Sequence, residues 1–170
     1  MAIIVEDGSV VPNANSYVSV ADATTYLAAN IHVSAAWVAL STEQKENLLI
    51  WATRELDNRV DWKGSKTDPE SSLRWPRVGV FDRDGNLIAD DVIPKQLKDA
   101  VCELARYLMA GDRSADTGRE GIKVLQVDVV RLEFDEYYKT QFLPNEIGYI
   151  LAGLGYVSGG TPRFPRIVRS

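Results

Sequence analysis

Leu97, Val101, Leu104, Ala105 and Leu108 recur every third or fourth residue behind Pro94, the spacing that lines one face of an α-helix with apolar side chains. Pro94 suits a first helical position, where a missing N–H costs nothing, and Gly111 closes the pattern. The spacing predicts a helix over about 94 to 110, and one apolar face needs another to cover it. A second such face begins at Ser41, which with Gln44 forms a capping box that satisfies two orphaned backbone donors. Behind it Leu48, Leu49, Ala52 and Leu56 share one side, while Glu43, Lys45, Glu46, Arg54 and Glu55 fill the other, predicting a helix over about 42 to 59. The two long helices should pack face to face as the core, each buried apolar side chain contributing about 1.5 to 3 kcal/mol.

Shorter elements surround this pair. Ile3 to Gly8 reads as a short strand running into an Asp-Gly turn, and Ser19 caps a helix reaching about Asn30 through Ala23, Tyr26 and Leu27. Ala35 to Leu40 supplies a further turn or two of helix, with Trp37 and Leu40 inward. From 60 to 93 the helical period gives way to glycine, proline and aspartate, a long ordered loop with a hairpin turning at Asp84-Gly85. Residues 112 to 121 read as a linker and 122 to 134 as a strand or hairpin. A last helix begins near Pro144 and carries Ile147, Ile150, Leu151 and Leu154. The fold class expected is mainly α: a small helical bundle with a long hairpin-bearing loop, a short β segment and extended terminal arms. Residues 1–155 form one domain, and 156–170 an arm that orders against a partner, with Arg163, Phe164, Arg166 and Ile167 as its contacts.

With 170 residues the chain has room for one such domain, and no stretch approaches the ~20 apolar residues of a membrane span. Met1 to Asp7 does not read as a secretion signal, so the chain is expected to stay in the compartment where it is made. Cys102 lies within the apolar helical pattern and reads as a buried small hydrophobe. One histidine and one cysteine, far apart, argue against zinc, and Asp82 to Asn86 lacks the glycine and glutamate positions of a calcium loop. Phosphate-loop, dinucleotide and nucleophile-elbow spacings are missing too, so no enzyme and no cofactor is expected. A net charge of -5 points away from DNA backbone as the principal ligand.

One segment points the other way. Trp62, Lys63 and Lys66, then Arg74, Trp75 and Arg77, interleave aromatic with basic side chains, the combination that stacks bases and neutralises phosphates in single-strand binders. The alternative is that both indoles fold inward as loop anchors and the basic stems cover them.

A family resemblance rests on several motifs in fixed order: Ile4 to Gly8, Ala14 to Ser19, Trp62-Lys63-Gly64, Leu73 to Arg77 with Gly79, Val80 and Asp82, and Ile93-Pro94 leading into Leu97, Lys98, Ala100, Glu103, Leu104 and Ala105. These resemble a phage protein family labelled DnaT-like single-stranded-DNA-binding, over essentially the first 110 residues with a looser match beyond. Such proteins are similar in helical layout to the head-tail connectors of long-tailed phages. That likeness implies a subunit of a dodecameric ring in the virion neck, assembled in the host cytoplasm. Its partners would be copies of itself, the portal protein and a tail-side neck protein, with genomic DNA passing through the lumen and no membrane contact. The family label implies single-stranded-DNA binding instead. The acidic charge and the arms favour the connector, with Trp62, Lys63, Arg74, Trp75 and Arg77 as partner-contact residues alongside those of the arm.

Overall fold

Ser41 caps its helix as its spacing predicts: its Oγ accepts from the Gln44 backbone N–H while the Gln44 side chain accepts from the Ser41 N–H, at 3.2 and 2.9 Å. The computed structural model describes residues 2–111, the backbone of 124–127 and 130–133, and residues 142–157. In chain order the helices are α1 (Val20–Ala28), α2 (Ser34–Ala39), α3 (Thr42–Arg59), α4 (Lys95–Met109) and α5 (Asn145–Ile150). The strands are β1 (Val60–Trp62), β2 (Ser65–Lys66), β3 (Arg77–Val78), β4 (Val124–Val127), β5 (Val130–Glu133) and β6 (Gly155–Val157).

The core is where the two stripes meet. Leu49, Ala52 and Leu56 of α3 face Leu97, Val101, Leu104 and Leu108 of α4, with α1 and α5 packed alongside and all of these side chains buried. Trp37 is buried and its indole N–H donates to Thr24 Oγ1 at 3.0 Å, which fixes α2 to α1. Cys102 is buried among them, and burial, with Asp99 and Glu103 nearby, pushes its thiol up to about 12. The described chain is thus mainly helical, with three two-stranded pairings. None of its helices is long and apolar enough to cross a membrane.

Differences from expectation concern the β segments and the ends. α4 starts at Lys95, Pro94 being its cap with an extended ψ of 142°. The opening segment pairs through a Val5–Ser16 bridge, Glu6 N–H donating to Ser16 O at 2.8 Å, and the chain then turns away around the buried Glu6 carboxylate, which accepts from Gly8, Val10 and Val11 N–H at 2.9 to 3.0 Å. It is therefore not an arm but a loop wound around a carboxylate. β1 pairs antiparallel with β6, Val60 with Val157, Asp61 with Tyr156 and Trp62 with Gly155, so the domain boundary drawn at 155 falls inside a strand. β4 and β5 pair antiparallel within the stretch of 122 to 134 read as a strand or hairpin. The linker at 112–121 and the arm from 158 onward lie outside the described residues.

Candidate nucleic-acid interface

The long loop between α3 and α4 is held by two side chains whose sequence neighbours suggest another purpose. Arg77 is buried, and its guanidinium donates to four carbonyls: Lys63 O from Nε at 2.6 Å, Arg74 O from Nη1 at 3.0 Å, and Gly64 O and Trp62 O from Nη2 at 2.7 and 3.4 Å. The planar fork ties the bend at 62–64 to the turn at 74, a task a flexible ammonium performs poorly. Gly64 makes the bend possible, with φ of 66° and its α-carbon so near Val78 that a Cβ would collide with that residue's carbonyl oxygen.

Trp75 is fully buried and meets Trp62 edge to face, ring centroids 5.9 Å apart at 90°. Both indole nitrogens are buried without a hydrogen-bond partner among the described residues. A cis peptide bond joins Trp75 to Pro76. Behind the pair, Tyr17 is buried; its hydroxyl donates to Asp57 Oδ1 at 2.8 Å and accepts from Arg74 and Trp75 N–H, both at 3.1 Å. Asp57 Oδ2 also accepts from Arg74 N–H at 3.0 Å. Burial pushes the Asp57 carboxyl up to about 6, against the lowering effect of the Tyr17 hydroxyl and Arg74 N–H.

Trp75 and Arg77 therefore order the loop from within, and Trp62 is half-buried against the core. Lys63 and Arg74 are exposed. Arg163, Phe164, Arg166 and Ile167 lie outside the described residues. Among the described residues the exposed aromatics are others: Phe81 at 52 %, Tyr149 at 74 % and Tyr156 at 68 %. They sit on segments that touch one another. The Lys63 ammonium lies over the Tyr156 ring at 5.3 Å, Lys63 N–H donates to Leu154 O, Gly153 packs against the backbone of Asp82 and Arg83, and Arg83 Nη2 donates to Tyr149 O at 3.3 Å. Phe81 opens the hairpin, bridged to Leu87; Asp82 Oδ1 caps its turn by accepting from Asp84 and Asn86 N–H at 2.9 and 2.8 Å. The Asp82 carboxylate is thus consumed by the turn.

Aromatic rings open to solvent beside cations can stack bases and hold phosphates. A second basic feature is an open groove lined by Asn15, Arg54, Asp57, Asn58, Lys66 and Arg74, with Leu73 and Ile50 among its apolar wall, about 510 Å³ in volume. Residue reasoning missed Phe81, Tyr149, Tyr156, Arg83 and Arg54. Tyr149 falls off the apolar phase of α5 set by Ile147 and Leu151, and that phase was readable. Tyr156 needed β1, its distant partner, before it could be placed.

The family model described as "Putative DnaT-like ssDNA binding protein" matches residues 1–170. No curated protein and no solved structure matches the chain. The family match overturns the expectation of a head-to-tail connector subunit, with the virion and neck roles attached to it, in favour of the single-strand-binding alternative. Net charge averages over the whole surface, whereas Lys63, Lys66, Arg74 and Arg54 gather around one loop. From its first residue to its last, the chain belongs to the DnaT-like single-stranded-DNA-binding family.

Proposed function

We propose that this protein is a binding module for single-stranded DNA, without catalysis, and that bases stack on Tyr156, Tyr149 and Phe81 while Lys63 and Arg83 meet phosphates. The observation that carries this reading is the Lys63 ammonium over the ring of Tyr156, a side chain 68 % exposed. Strand alternation turns Tyr156 to solvent while its neighbour Val157 packs against the core, and a cation held against its exposed face pre-places charge where a backbone would run. Stacking of this kind is tolerant of base identity, so binding should be sequence-independent.

The test is fluorescence anisotropy of a labelled oligo-dT with the full chain. Tyr156→Ala should weaken binding about fivefold or more, the equivalent of the ~1 to 3 kcal/mol of one stacked base. Lys63→Ala should weaken it and flatten the log–log salt dependence by about 0.7. Unchanged affinity in both variants, with folding intact by circular dichroism, removes this surface from the reading, and no measurable binding of oligo-dT by the parent protein removes the function.

A further inference from the structure

We infer that the groove between α3 and the 66–74 loop is a phosphate site, taking the phosphate of a nucleotide unit supplied by a DNA strand or by a free nucleotide. It is separate in residues from the aromatic surface, so it extends the single-strand reading without depending on it. Its lining brings three basic side chains, Arg54, Lys66 and Arg74, against one carboxylate, Asp57. In a chain of net charge -5 that local excess of positive charge is unusual, and three cations around one cavity repel one another unless an anion joins them.

The cations are also available. The Arg74 guanidinium makes no hydrogen bond or ion pair with the described residues; Arg74 bonds instead through its backbone N–H and C=O. The Arg54 side chain is 66 % exposed and holds only a 3.9 Å approach to Glu55. Lys66 Nζ gives one hydrogen to Ser71 O at 2.6 Å and keeps two. Asp57 is the one carboxylate among the lining residues, and its oxygens already accept from Tyr17 Oη and Arg74 N–H, so it is turned to the loop backbone rather than left to capture the arginines. Planar guanidinium groups recognise phosphate through paired N–H donors, and Asn58 in the lining adds amide donors. The volume of about 510 Å³ falls within the range of small-molecule sites, and Leu73 and Ile50 give a sugar or base an apolar wall.

The experiment is isothermal titration of the full chain with inorganic phosphate and with deoxythymidine 5′-monophosphate, beside anisotropy with labelled oligo-dT, for the parent and for Arg54→Ala/Arg74→Ala. Both side chains are exposed, so the variant should unfold at the parent's temperature; Arg54→Gln/Arg74→Gln repeats the measurement with stem packing retained. The expected result is saturable binding of at least one phosphate probe, weakened at least tenfold in both variants. Loss of the monophosphate alone identifies a free-nucleotide site; loss of oligo-dT alone, or of both, identifies a strand phosphate. If neither small probe binds the parent and oligo-dT binding is unchanged in the variants, the groove is not a phosphate site, while the oligo-dT titration of the parent still tests single-strand binding by itself.

Discussion

Tyr17→Phe deletes one oxygen and nothing else from the point where α3, the N-terminal segment and the long loop converge, which makes its cost calculable. The hydroxyl donates to the Asp57 carboxylate and accepts from the N–H groups of Arg74 and Trp75. Arg74 N–H has a second acceptor in Asp57 Oδ2 at 3.0 Å and survives the substitution. Trp75 N–H has no other acceptor among the described residues, and stranding a buried donor costs about 1 to 3 kcal/mol. The lost hydrogen bond to a charged carboxylate adds about 1.5 to 3 kcal/mol. The ring itself stays, so no cavity term enters, and the expected loss is about 2.5 to 6 kcal/mol.

Proton linkage gives the same substitution a second signature. Asp57 sits at about 6 in the folded chain against an ordinary 3.8, mainly because burial disfavours its charge. Below pH ~4 the group is protonated folded and unfolded, and contributes no pH dependence; between ~4 and ~6 the folded chain holds the extra proton, so stability from this group falls as pH rises, and above ~6 it is flat. The Tyr17 hydroxyl favours the charged form, so removing it raises the folded value further and hurts most where Asp57 is ionised. Urea unfolding followed by tryptophan fluorescence at pH 5 and pH 8 should show the larger deficit at pH 8. A deficit below about 1 kcal/mol, or one larger at pH 5, refutes the reasoning.

Two further outcomes follow from the packing. Leu104→Ala, at a fully buried position of α4, should cost about 2 to 5 kcal/mol in the same urea assay, and a loss under 1 kcal/mol would mean that the core lies elsewhere. Arg77→Lys keeps the charge but forfeits the fork to four carbonyls, and should destabilise by at least about 2 kcal/mol, read as a lower urea midpoint with unchanged slope.

The helices were legible because their information is local. The Ser41 capping box, the α3 and α4 stripes and the turn at Asp84-Gly85 each need only a handful of neighbouring residues, and all three stand where the spacing puts them. The β1–β6 pairing was not legible, since Val60 to Trp62 and Gly155 to Val157 are three residues apiece, too short to declare a period, and each finds its partner across the whole chain. Composition marked the loop from 62 to 77 as aromatic and basic, but it does not say which face of a side chain is wet. An indole has more area to hide than a tyrosine ring and no acidic tip to keep in water, so Trp75 went to the interior and drew Arg77 with it to close the loop's carbonyls. Once β6 is recognised, alternation does the rest: Val157 packs inward, so Tyr156 points out, just as buried Val80 leaves Phe81 exposed at the head of its hairpin. The aromatics that stand in solvent are therefore those that the folding problem had no use for, and it is their proximity to Lys63 and Arg83, rather than the richness of any one stretch of sequence, that makes them the surface proposed for single-stranded DNA.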